Sequence, residues 1–203
     1  MELIDALRGR RTVRNFKSTP IQRSLIRNIV EMGICAPNAG NKQTWRFIAV
    51  DDKEILMEMK RIVDRITLMV TGEEILPEKR TFQNLFFSAP TTIICLMEEY
   101  RSRTDTYLEG NFPDRYFLRT HRVNPSLQSV SAAITQMLLA AHQFGVGSCW
   151  MTGPLIARPE LSDFLGIRAP EEIAAFIALG YPEKIPSMPP RKSVDDILTF
   201  FAG

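Results

Sequence analysis

Apolar residues recur at helical spacing in three long stretches of the chain and run together in shorter ones. Ile21, Leu25, Ile26, Ile29 and Val30 share one helical face; Ser18 or Thr19 can cap that helix, Pro20 suits its first turn, and Gly33 ends it. Residues 53–70 repeat the pattern with Ile55, Leu56, Met59, Ile62, Val63, Ile66 and Met69, and the methionines read as core. Asn124 and Pro125 open the strongest helix, which runs to Phe144 and stops at Gly145. One of its faces carries Leu127, Val130, Ile134, Met137, Leu138 and Ala141, and Ala132, Ala133, Leu139 and Ala140 make much of the other side apolar too. Such a helix needs cover all round, and its small residues suit close packing against a helix of a second subunit. Leu3, Ile4 and Leu7 mark one face of a short N-terminal helix, and residues 77–87 and 159–165 give two further helical pieces. Strands are expected at 46–50, 91–97 and 174–179; the middle one is apolar throughout, as a strand buried on both faces would be.

Composition places these elements in a single globular domain spanning 1–203, because 203 residues at 45% hydrophobic content can bury a sizeable core. Basic and acidic residues nearly balance, 25 against 23, which argues against nucleic-acid or membrane partners. Cys35, Cys95 and Cys149 are odd in number and set among apolar neighbours, as buried thiols in a reducing compartment would be. His121 and His142 are not at ligand spacing from any cysteine, so no metal site is expected. No apolar run has signal-peptide or membrane-spanning length, and a cytoplasmic location is expected. Residues 98–124 interrupt the pattern: Arg101, Arg103, Arg115, Arg119 and Arg122 alternate with Tyr100, Tyr107, Phe112, Tyr116 and Phe117. Acidic residues dilute that charge too far for a phosphate-tracking groove, and a lid-like insertion covering a substrate is the better reading.

Two stretches carry candidate chemistry. Residues 8–16 hold Arg8, Arg10, Arg11 and Arg14 with no acidic neighbour, and Thr12 adds a hydroxyl, a donor set suited to an anion such as phosphate. A solvated basic loop, or a surface strand with Val13 and Phe16 facing inward, would also fit. Residues 35–45 combine turn formers and small side chains, so a flat ligand could approach the backbone there, with Asn38 and Asn41 offering amides. An ordinary helix-to-strand loop has the same composition. Gly145-Val146-Gly147 follows a helix rather than a strand and is no dinucleotide fingerprint.

Arg-Arg-Thr-Val-Arg-Asn-Phe, followed at this distance by Ala-Pro-Asn-Ala-Gly-Asn-Lys-Gln-Thr-Trp-Arg-Phe, resembles the opening of the FMN-dependent nitroreductase family. Thr12, Asn38 and Thr44 depart from that family's Ser, Ser and Pro. The helix 131–143 with the turn after it, Met151-Thr152-Gly153-Pro154, and Gly180-Tyr181-Pro182 before a proline-rich tail with Arg191 extend the likeness over nearly the whole chain. The resemblance implies an α+β fold, a central, mainly antiparallel sheet flanked by helices, in an intertwined homodimer with two FMN sites at the interface. It implies that Arg10, Arg11, Thr12, Arg14 and Arg191 of one subunit hold the cofactor together with Pro37, Asn38, Ala39 and Asn41 of the other. Thr152 and Gly153 fall where backbone amides meet flavin N5, and Asn84 or Gln83 is the candidate to reach the ring. No side chain is implied as a catalyst in its own right; Arg14 and Gly153 would tune the flavin. The implied activity is hydride transfer from NADH or NADPH through N5 to a nitroaromatic, quinone or similar small-molecule acceptor by ping-pong kinetics. A flavin store or sensor without turnover, or a relative that dehalogenates or fragments flavin, is the alternative. The physiological acceptor and the choice between NADH and NADPH stay open.

Overall fold

Apolar alternation along the second strand divides the protein into layers. In this computed structural model, which describes residues 2–72, 81, 83–112 and 124–201, strands β1 (Trp45–Val50), β2 (Thr91–Glu98), β3 (Gly147–Met151) and β4 (Glu171–Gly180) form one sheet in the order β1-β2-β4-β3. Every neighbouring pair is antiparallel. Ile93, Cys95 and Met97 of β2 point into one apolar cluster, and Ile94 and Leu96 point into the other. That two-residue period is what a strand covered on both faces requires. The expected α+β architecture with an antiparallel sheet is therefore present.

Helices α2 (Arg23–Ile34) and α5 (Pro125–Gln143) cover one face through Ile26, Ile29, Val130, Ile134 and Met137. Helices α3 (Lys53–Thr71) and α6 (Arg158–Leu165) cover the other through Leu56, Met59, Val63 and Leu161. Asp52 caps α3, its carboxylate accepting from the Glu54 and Ile55 amides, and Asn124 caps α5 by accepting from Leu127 at 3.0 Å. α2 and α5 approach closely because Gly33 has no side chain: a Cβ there would lie 2.3 Å from Met137 Cγ. Among the described residues, no helix is long and apolar enough to cross a membrane.

Several expectations need correction. Helix α1 (Leu3–Gly9) forms, but it buries only Ala6, and Leu3, Ile4 and Leu7 stand exposed. α2 begins two residues later than its apolar stripe suggested, with Gln22 rather than Ser18 or Thr19 at the cap; Ile21 is buried ahead of the helix. On α5, Ala133 and Ala140 face this chain's own core, so the side left open carries Ala132, Thr135 and Leu139 instead. β3 was hidden by its glycine and cysteine. Of the helical piece expected at 77–87, residues 77–80 and 82 lie outside the described residues, and the rest shows a 3-10 turn at Leu85–Ser88 instead. Of the insertion at 98–124, the described part contains helix α4 (Arg103–Asn111), and residues 113–123 lie outside it.

One buried charge fixes that 3-10 turn to α3. Lys60, 3% exposed, pairs with Asp64 one helical turn on and lies 5.1 Å from the centre of the Phe87 ring. Asp64 also accepts from the Asn84 amide at 2.7 Å, and Asn84 in turn accepts from the Thr81 N–H. Asp64→Ala should strand the Lys60 ammonium in a dry site, and urea denaturation is expected to show a loss of about 3 kcal/mol or more. A loss below about 1 kcal/mol would mean that Lys60 reaches water.

Candidate functional site

Residues 10–16 lie along the free edge of β3. Thr12 bridges Ser148 in parallel, and the Val13 N–H donates to the Ser148 carbonyl at 2.9 Å. The segment joins the sheet through isolated bridges at Thr12 and Phe16 rather than as a strand, and Val13 and Phe16 are buried. Two glycines make room for it. A Cβ on Gly147 would lie 2.9 Å from Val13, and one on Gly180 would lie 2.8 Å from the Phe16 ring. With its apolar side chains used as anchors, the segment has to present its polar ones outward: Arg14 is exposed, and Arg10, Arg11 and Thr12 are half-buried.

The arginines are not equivalent. Arg11 folds back over the end of α1, its guanidinium donating to the carbonyls of Arg8 at 2.6 Å and Arg10 at 2.8 Å. It satisfies carbonyls that the helix end leaves open. Arg10 makes no ion pair with any described residue. Behind them His142, at the last turn of α5, packs on Gly9, where a Cβ would sit 2.8 Å from its Nε2. Burial first, and then the charges of Arg10 and Arg11, hold the His142 ring below histidine's usual range. Nothing in the sequence pattern tied this histidine to the arginines.

At the far end of β3, Thr152 is exposed and Gly153 opens a 3-10 turn, Gly153–Ala157, seated by buried Pro154. Four strand residues separate Thr152 from Ser148, roughly 13 Å. An anion held beside Thr12 and a polar ring edge met at Gly153 would be that far apart. Trp150, between them, buries an indole N–H with no partner among the described residues.

The 37–41 turn lies elsewhere. Asn38 Oδ1 accepts from the Gln43 N–H at 2.9 Å, and the Ala39 N–H donates to Ser129 Oγ at 3.1 Å, in the second turn of α5. Ser129 and His142 are thirteen positions apart on one helix, which puts about 20 Å between the turn and the foot of the arginine segment. Within one chain, then, Arg10, Arg11, Thr12 and Arg14 come together, Pro37, Asn38, Ala39 and Asn41 come together, and the two groups stay apart. Arg191 lies in an exposed tail, where its guanidinium donates to the Pro190 carbonyl at 3.5 Å. Asn84 is buried, its amide donating to Asp64 at 2.7 Å. A groove of about 770 Å³ near Phe16, Met57 and Phe87 includes none of these arginines. Among the described residues no cluster of His, Cys, Asp and Glu could hold a metal.

A family model described as the nitroreductase family matches residues 7–181. A protein of Methanothermobacter thermautotrophicus provisionally named an NADH dehydrogenase/NAD(P)H nitroreductase is 29% identical over 194 residues, covering 92% of this chain and 80% of its own. The crystal structure of a BluB-like flavoprotein from Clostridium difficile superposes with a TM-score of 0.83 at 26% identity over the whole of both chains. An oxidised iodotyrosine deiodinase, solved with FMN and 3-iodo-L-tyrosine, has the same fold, with a TM-score of 0.75 and 21% identity over 99% of this chain and all of that one.

The placement of His142 makes a spectroscopic prediction. In a proton NMR titration of the flavin-free protein, its ring should titrate below the usual histidine range, and Arg10→Ala should move that titration upward by removing one of the charges that opposes protonation. The signal is identified by its loss in His142→Gln. A titration unmoved by Arg10→Ala would leave burial and the Arg11 charge as the causes.

Proposed function

The chain belongs to the nitroreductase family, and from that premise we propose that it is an FMN-dependent NAD(P)H oxidoreductase working as a homodimer with two sites between the subunits. FMN, when bound, would supply the redox chemistry, hydride transfer from a reduced nicotinamide to a nitroaromatic, quinone or similar acceptor by ping-pong kinetics. The protein holds the cofactor and tunes it. Arg10 and the Thr12 hydroxyl bind the phosphate, and Arg191 adds a further charge from the tail. Arg14, further along the segment, offers positive charge to the pyrimidine edge, where reduction makes the ring system more negative. Amides at Thr152 and Gly153 meet the ring at the other end of β3, and the 37–41 turn of the second subunit covers it. The donor set fits a phosphate at one end and a flat polar ring at the other.

The observation that carries this reading is the spacing of the donor groups. Arginines and the Gly153 turn lie one strand length apart along β3, whereas the 37–41 turn of the same chain is about 20 Å from Gly9, at the other end of α5. A second copy brings such a turn to the site without unfolding anything. Exposed apolar residues support the same assembly: Leu3, Ile4 and Leu7 on α1, and Ile197, Leu198, Phe200 and Phe201 in the tail, the last 99% exposed. A second reading, reductive dehalogenation of a halogenated aromatic, draws support from the shared fold of the deiodinase. It keeps the cofactor and the direction of electron flow and changes only the acceptor.

The purified protein should be a yellow dimer that NADH or NADPH bleaches and a nitroaromatic or quinone reoxidises. Reoxidation by an iodophenol alone would favour the second reading, and a flavin that neither nicotinamide reduces would mark a store or sensor. Arg10→Ala should weaken FMN binding by roughly 1.5 to 3 kcal/mol, the worth of a charge-assisted contact. Arg11→Ala should weaken it less, because the Arg11 guanidinium is engaged on the Arg8 and Arg10 carbonyls. A monomer by light scattering that still held FMN stoichiometrically would overturn the shared site.

A further inference from the structure

The 37–41 turn and the two residues after it contain an unusual concentration of left-handed backbone. Gly40 has φ 56°, Asn41 51° and Gln43 48°, and Asn41 and Gln43 are the two non-glycine residues with positive φ among the described residues. A branched or long side chain pays for that conformation in steric energy, and it persists only where the surroundings hold it. Here one side of the turn is held by α5, through the Ala39 bond to Ser129, whose own hydroxyl donates to the Pro125 carbonyl at 2.7 Å. On its other side the turn is exposed, and Tyr100 approaches it at Gly40. A Cβ built on Gly40 would lie 3.2 Å from Tyr100 Oη and 3.6 Å from its Cε2, so the phenol ring rests directly on the Gly40 backbone.

Tyr100 is itself held in place. Its N–H donates to Ser126 Oγ at 2.7 Å, one turn before Ser129 on α5, and two residues earlier the Glu98 N–H donates to the Thr44 carbonyl at 2.8 Å. It is also the last residue before the excursion that leads into α4, where Ser102 and Asp105 cap the helix reciprocally. The ring thus stands between the turn and the root of the inserted segment, and α5 anchors both.

We propose that Tyr100 is a positioning residue for the flavin: its ring clamps the strained 37–41 turn in the shape that covers the cofactor, and it links that turn to the root of the 98–112 segment. The inference rests on the reading of 37–41 as a flavin-holding turn. The contact is made by the Tyr100 hydroxyl and the Cε2 edge of its ring, which stand over Gly40. Its loss frees the turn to relax toward ordinary backbone angles, and flavin binding must then restore them.

The test compares FMN dissociation constants, by quenching of flavin fluorescence, for the full-length protein and for Tyr100→Ala, Tyr100→Leu and Tyr100→Phe. Tyr100→Ala should bind FMN about tenfold more weakly, a factor appropriate to one strained backbone conformation set free. Tyr100→Phe should bind within about twofold of the original, because it restores the ring. Thermal melting of the flavin-free proteins should change little, since the turn lies outside both apolar clusters. If Tyr100→Ala fails to fold, Tyr100→Leu, which keeps bulk without a flat ring, carries the comparison. Unchanged affinity in the alanine or leucine variant would overturn the proposal, and so would an equal loss in Tyr100→Phe, which would assign the effect to the hydroxyl. Failure of the unaltered protein to bind FMN would instead remove the functional reading on which this one stands.

Discussion

The backbone bond from Val13 to Ser148 fixes more of this protein's chemistry than any other single contact. It seats an arginine-bearing segment on the open edge of β3, where the sheet would otherwise end in unpaired donors and acceptors. Pairing satisfies part of that edge, and burial of Val13 and Phe16 supplies the apolar contribution, on the order of 1.5 to 3 kcal/mol for a large side chain. Gly147 and Gly180 are the complement on the sheet. Once Val13 and Phe16 point inward, Arg10, Thr12 and Arg14 are left at the rim. The charge cluster is therefore a consequence of strand alternation as much as of composition.

α5 organises what the sheet edge does not. Its first turns hold the 37–41 turn and the root of the inserted segment through Ser129 and Ser126, and its last turn brings His142 against Gly9. Serine suits the first two positions because a hydroxyl can accept from a passing amide and also donate to its own helix, as Ser129 does to Pro125. One rigid helix thus sets the distance between two polar groups that are far apart in sequence from each other and from it. Neither group can drift toward the other without bending the helix.

Much of this was legible in the sequence, and the parts that were not have physical causes. β2 could be read because its apolar run has no other home than between two covered faces. α3 and α5 could be read because their stripes are long and their ends are marked, by Asp52 and by Asn124 with Pro125. β3 could not, since Gly147, Ser148 and Cys149 carry no strand signature and are strand only because β4 and the arginine segment flank them. The direction of α5's small residues was misjudged for a related reason. Ala133 is fully buried, with its backbone carbonyl beside Gly33 on α2, a neighbour that periodicity within α5 cannot reveal. Asn84 was placed by its position before a strand, yet buried Lys60 left Asp64 in need of a second donor, and Asn84 is the amide within reach.

The exposed apolar surface and the divided site constrain each other. α1 buries a single alanine, which leaves Leu3, Ile4 and Leu7 in contact with solvent beside the arginines. The tail after Pro182 is exposed throughout its described length while carrying Ile185, Met188, Ile197, Leu198, Phe200 and Phe201. A chain that kept so many large side chains in water would forgo several kcal/mol that association recovers. Under the proposed assembly the tail also carries Arg191, so the segment that gains most from covering a second subunit is the one that has a charge to deliver to the phosphate. Flavin and subunit would then stabilise each other. Under that assembly each subunit would bring one half of a site that neither completes alone.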